Sequence, residues 1–138
     1  MKKRFIFSIL TLALCLLIGT AAAQTPVSHE KTFDYGTDTW VLPEGIYQIT
    51  SVEAWGAGGG GGGAQAKAAN HSVGISGGGG AYAKATDINV NSTMTLNYSK
   101  GQGGSAGTGS VKGGDGGDSY LKYNDSYYVF AGGGRGGK

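Results

Sequence analysis

From residue 32 onward, apolar and polar residues alternate in short stretches, and the alternation predicts strands. Phe33 and Tyr35 share one side of a piece over 32–35, and Gly36-Thr37-Asp38 follows as a turn signal. Residues 39–42 form a second apolar piece, closed by the turn Pro43-Glu44-Gly45. Residues 46–55 form the strongest strand, with Tyr47 and Ile49 on one face and then Val52 and Ala54 on one face. The change of phase at Thr50-Ser51 predicts a bulge or a switch of faces. Further strands are predicted over 81–90, 93–99, 119–123 and 127–131. Met94, Leu96 and Tyr98 alternate cleanly in the second of these, and Asn124-Asp125-Ser126 reads as the hairpin turn between the last two. No window after residue 23 has helical periodicity, so the fold class is all-β.

Glycine interrupts this pattern in a regular way. Of 29 glycines, 26 fall after Trp55, and all of these but Gly74 cluster over 56–63, 77–80, 101–109, 113–117 and 132–137. A flexible linker is the ordinary reading of such tracts. Ordering a glycine costs about 0.5–1 kcal/mol more than ordering an alanine, so a folded domain must recover that cost elsewhere. Close backbone approach is what glycine permits. Glycine runs can adopt a left-handed helix of three residues per turn, whose outward N–H and C=O groups pair with neighbouring runs. Because the clusters alternate with strands, an ordered arrangement is expected. The expected architecture is β-sandwich-like, of jelly-roll type, with interleaved glycine segments as packed polyglycine II helices.

The N-terminus has a different pattern. Lys2-Lys3-Arg4 precedes an apolar run from Phe5 to Gly19, and Ala21-Ala22-Ala23 supplies a small-residue cleavage site. Residues 1–23 therefore read as a signal peptide, 24–31 as a polar lead-in and 32–138 as the glycine-rich β domain. The apolar run is shorter than the ~20 residues that span a bilayer, so no membrane span is expected after cleavage. Cleavage leaves 115 residues without cysteine, since Cys15 lies in the leader, and changes the formal charge from +2 to −1. The basicity is thus a targeting feature and gives no support for a nucleic-acid partner. The expected location is secreted, either extracellular or on the cell surface.

The segment from Trp40 to Ile49, followed by Glu53-Ala54-Trp55-Gly56-Ala57-Gly58-Gly59-Gly60, resembles the opening of a family of secreted glycine-rich domains. These occur in bacterial surface proteins and phage tail-fibre proteins and are similar to the glycine-rich module of the anaplastic lymphoma kinase extracellular region. Gly77 to Gly80 before Ala81-Tyr82-Ala83 resembles the second glycine run of the family. Tyr98-Ser99-Lys100-Gly101-Gln102-Gly103-Gly104 resembles a later segment, with Ser99-Lys100 where the family has Val-Gly. The resemblance implies a β-sandwich scaffold with glycine helices packed on it, used for surface binding or structure, and no catalytic set. It also implies that the module continues past Gly136-Gly137-Lys138, so that the chain is C-terminally truncated.

Candidate chemistry is sparse. Gly56-Ala57-Gly58-Gly59-Gly60-Gly61 matches a dinucleotide fingerprint but lacks the following helix and acidic residue. Residues 113–121 match one copy of a calcium-binding nonapeptide, which makes Asp115 and Asp118 calcium candidates; packing of the glycine segment is the competing explanation. His29 and His71 read as solvated, and no serine occupies a nucleophile elbow. No enzyme activity is expected. The remaining candidates are aromatic: Trp40, Trp55, Tyr120, Tyr123, Tyr127 and Tyr128 could serve a binding surface or build a core poor in aliphatic residues. The functional expectation is a structural or adhesive domain with a surface partner, protein or glycan. The alternative is a carbohydrate-binding accessory module of a larger secreted protein.

Overall fold

Most of the alternating stretches after residue 36 form strands. In a computed structural model, residues 28–138 are described other than 35, 65, 68, 69 and 72. The expected signal peptide and residues 24–27 of the lead-in lie outside the described residues. Residues Thr32–Lys138 form one unit, distinct from Met1–Lys31. Eight strands are described: β1 (Gly36–Val41), β2 (Gln48–Trp55), β3 (Ala66–Lys67), β4 (Asn70–His71), β5 (Tyr82–Asn89), β6 (Thr95–Lys100), β7 (Ser119–Tyr123) and β8 (Ser126–Ala131). All pairings are antiparallel, in a four-stranded sheet ordered β1-β6-β7-β8 and two pairs, β2-β5 and β3-β4. Among the described residues there is no helix.

Two sequence expectations are corrected at the start of the domain. Residues 32–34 form no strand, and Tyr35 lies outside the described residues. Gly36-Thr37-Asp38 is not a turn but the first half of β1, because β6 offers a full ladder partner from Lys100 back to Tyr98. Phe33 instead packs its ring on Trp40 and Tyr98, at centroid distances of 5.4 and 4.4 Å. The short β3-β4 pair was not predicted; its strands are too brief to carry a period.

One core receives side chains from both larger sheets. Leu96, Leu121, Val129 and Ala131 come from the four-stranded sheet, Ala54 comes from β2, and Leu42 and Val90 come from loops; all are buried. On β2 the inward residues are Ile49, Val52 and Ala54, so the expected phase change at Thr50-Ser51 occurs. It occurs without a slip of register, because Ile49↔Ile88 and Ser51↔Thr86 keep the same alignment. Asp87, on the partner strand between these pairs, takes a φ of 55°.

Thr93, in the turn before β6, takes a φ of 66°. A β-branched residue in the left-handed region is strained by about 1–2 kcal/mol. Thr93→Gly is therefore expected to raise stability by about 1 kcal/mol in urea denaturation, and a loss of stability would contradict this strain.

The five glycine clusters form five runs that bond to one another at every third residue. In the first run, Gly56, Gly59 and Gly62 donate to Ala81, Gly78 and Ile75 of the second, at 2.8–2.9 Å. Ala57, Gly60 and Gly63 donate to Gly117, Gly114 and Val111 of the fourth, at 2.9–3.0 Å. The carbonyls of Gly58 and Gly61 accept from Gly104 and Gly107 of the third run, and those of Ala57 and Gly60 from Gly134 and Gly137 of the fifth. The first run is thus central, parallel to the third and fifth and antiparallel to the second and fourth. The outer runs also pair with one another: the second with the fifth, the fifth with the fourth, and the fourth with the third. These bonds satisfy backbone groups that a linker would leave to water.

The packing explains why the runs are glycine. A Cβ at Gly60 would overlap the Ser105 carbonyl, one at Gly77 the Gly59 carbonyl, and one at Gly136 the Gly113 carbonyl. Some positions are open: a Cβ at Gly79 meets nothing within 4 Å, and those at Gly58, Gly61, Gly103 and Gly132 meet only ordinary contacts at 3.7–3.9 Å.

Candidate functional site

The strongest cluster of exposed aromatic side chains lies on the outer face of the four-stranded sheet. Inward residues of β6 and β7 are Leu96, Tyr98, Ser119 and Leu121, so Asn97, Ser99, Tyr120 and Lys122 face outward. On β8, simple alternation from buried Val129 would turn Phe130 and Tyr128 outward together. A bulge prevents this: Leu121 pairs with Val129, but Lys122 pairs with Tyr127. Tyr128 is the extra residue, half-buried and packed against the core, while Tyr127 joins Phe130 on the exposed side.

Register then aligns two rows across all four strands. One runs Thr37, Ser99, Tyr120, Phe130; the other runs Thr39, Asn97, Lys122, Tyr127. The Thr37 hydroxyl donates to the Ser99 hydroxyl at 3.2 Å. The Tyr127 ring stands edge-on to Tyr120 and Phe130 at 5.3 Å from each, and the Tyr120 and Phe130 planes are within 12° of parallel at 6.5 Å. The Lys122 ammonium sits over the Tyr120 and Tyr127 rings, 5.7 and 5.5 Å from their centroids. One half of the face is thus aromatic with a single cation, and the other carries hydroxyls and an amide. Cross-strand aromatic pairs also stabilise a hairpin, by about 0.2–1 kcal/mol each. Phe130 and Tyr127 nevertheless remain about half exposed.

The six aromatic candidates separate into groups. Tyr120 and Tyr127 belong to this face. Tyr123 is exposed at the end of β7, beside the turn in which Asn124 takes a φ of 50°. Trp40 is half-buried against the core beside Phe33, and Tyr128 is likewise turned inward, so neither offers a free ring face. Trp55 is 61% exposed but lies on the other sheet, against Tyr82 at 5.3 Å. The pair beside it is Glu53↔Lys84, ion-paired at 2.9 Å. Phe130, Lys122 and Asn97 were not singled out from sequence. Their signal was the strand register, which depends on a bulge that the sequence does not mark.

Asp115 and Asp118 occupy another place. Asp118 Oδ1 accepts from the Gly133 N–H and Asp115 Oδ1 from the Gly136 N–H, both at 2.8 Å. The spacing of three between the aspartates matches the repeat of the fifth run, whose outward amides they cap. This gives the Gly-Gly-Asp-Gly-Gly-Asp pattern a structural explanation. Among the described residues, no three His, Cys, Asp or Glu side chains converge as a metal site.

The bond from Gly136, and then Lys112 at 3.0 Å, hold the Asp115 carboxyl below its ordinary value of 3.8. A carboxyl lowered on folding stabilises the native state above its unfolded pKa, and the contribution fades as pH falls through the folded one. As pH falls through 3.8 and on below it, the contribution is therefore expected to fade, and Asp115→Asn to flatten that part of the stability profile. A variant whose acid limb matched that of the parent would contradict the cap.

Strands built around a lattice of hydrogen-bonded glycine backbone define a glycine-rich β domain. The glycine-rich domain family matches residues 31–138, and the chain belongs to it. No curated protein and no solved structure gave a significant match.

Proposed function

We propose that this domain is an exported scaffold of the cell surface or extracellular space, structural or adhesive in role and without catalytic activity, and that its runs are polyglycine II helices flanking a β-sandwich. The central glycine run, hydrogen-bonded at three-residue intervals to four neighbours, carries this reading. Three residues per turn with outward-pointing N–H and C=O groups is the geometry of such helices. The export signal read from Lys2 to Ala23 supports the location. In a bacterial host, the full chain is expected in the exported fraction, shortened by the leader, and to melt cooperatively by circular dichroism. Retention in the cytoplasm would overturn export, and a non-cooperative melt would overturn the scaffold.

A second reading, a carbohydrate-binding accessory module, is favoured by the exposed outer face. Half-exposed rings beside hydroxyl and amide groups suit the apolar and polar sides of a sugar.

A further inference from the structure

We infer that the outer face of the four-stranded sheet binds an acidic oligosaccharide laid across the strands, with carboxylate-bearing pyranose rings. The inference rests on the carbohydrate-binding reading and names its ligand class. The two rows run perpendicular to the strands. Neighbouring strands lie about 4.8 Å apart, so a four-strand row spans about 14 Å, the length of a short oligosaccharide. Tyr127 and Phe130, at one end of the rows, present apolar ring surface about half exposed to solvent. Thr39, at the other end, and Asn97 next to it supply neutral hydrogen-bonding groups to sugar hydroxyls.

Charge selects among sugars. Lys122 is the single charged residue of the eight in the two rows, and no acidic residue stands among them. It lies centrally in its row, between Asn97 and Tyr127, over the rings on which a sugar would stack. A cation so placed favours a carboxylate over a neutral ring by a charge-assisted hydrogen bond. Because the site is exposed, that preference weakens with added salt.

The test is isothermal titration of the full chain with tri-uronates (galacturonate and mannuronate) and with their methyl esters, which keep the ring and lose the charge. A tri-uronate is expected to bind about tenfold tighter than its ester at low salt, with Lys122→Gln erasing the difference. Phe130→Ala and Tyr127→Ala are each expected to weaken acid and ester alike by about tenfold. Urea denaturation of each variant separates loss of binding from loss of fold. Equal binding of acid and ester, or a difference that survives Lys122→Gln, would overturn the acidic selectivity and leave the carbohydrate reading standing. No binding of either form by the folded protein would overturn both.

Discussion

Gly60→Ala is expected to destabilise the domain by roughly 3 kcal/mol or more, which for a small domain means substantial unfolding. The added methyl would overlap the Ser105 carbonyl of the third run, while the Gly60 N–H must still reach the Gly114 carbonyl of the fourth at 2.9 Å. Neither neighbour can retreat alone, because each is bonded to the central run and to the other: Gly114 N–H donates to that same Ser105 carbonyl. Gly79→Ala is the matched control. It makes the same chemical change in the neighbouring run, where a Cβ meets nothing within 4 Å and φ is not in the left-handed region. It is expected to stabilise by about 0.5 kcal/mol through the unfolded state. Urea denaturation of the two variants measures the difference. Two losses of similar size would mean that the runs are not packed as described.

The second large effect lies in the core. Leu96 is fully buried on β6, opposite Trp40, within the cluster that both larger sheets share. Leu96→Ala is expected to cost about 3 kcal/mol, from lost burial and from the cavity left behind. Thr39→Ala, in the outward row one position from Trp40, is expected to stay within about 0.5 kcal/mol. Equal effects would contradict the inward and outward assignment of the sheet faces.

Much of the backbone plan was legible in the sequence because it is periodic. Met94, Leu96 and Tyr98 alternate without interruption, and β6 forms over that stretch. Asn124-Asp125 joins the hairpin where turn residues predict it. The five glycine clusters mark the five runs, although the second reaches back to Gly74, where Val73, Ile75 and Ser76 thin the glycine signal. Long-range partners left no such trace. β1 begins at Gly36 because β6 extends beside it, and turn chemistry could not reveal that ladder. The exposed aromatic face was legible only in part, since one extra residue in β8 exchanges Tyr127 and Tyr128 between the outside and the core. Asp115 and Asp118 matched a calcium motif because that motif and the glycine runs share short spacings; their bonds to Gly136 and Gly133 become visible only when the fifth run is placed beside the fourth.

The most direct test is amide hydrogen exchange along the central glycine run, followed by NMR. Gly59, Gly60, Gly62 and Gly63 each donate to a neighbouring run, whereas the N–H groups of Gly58 and Gly61 have no hydrogen bond among the described residues. The expected record is protection with a period of three: two slow amides, then a fast one, repeated through residue 63. Uniformly fast exchange from Gly58 to Gly63 would contradict the account, because the runs would then be linkers and not the frame of the fold.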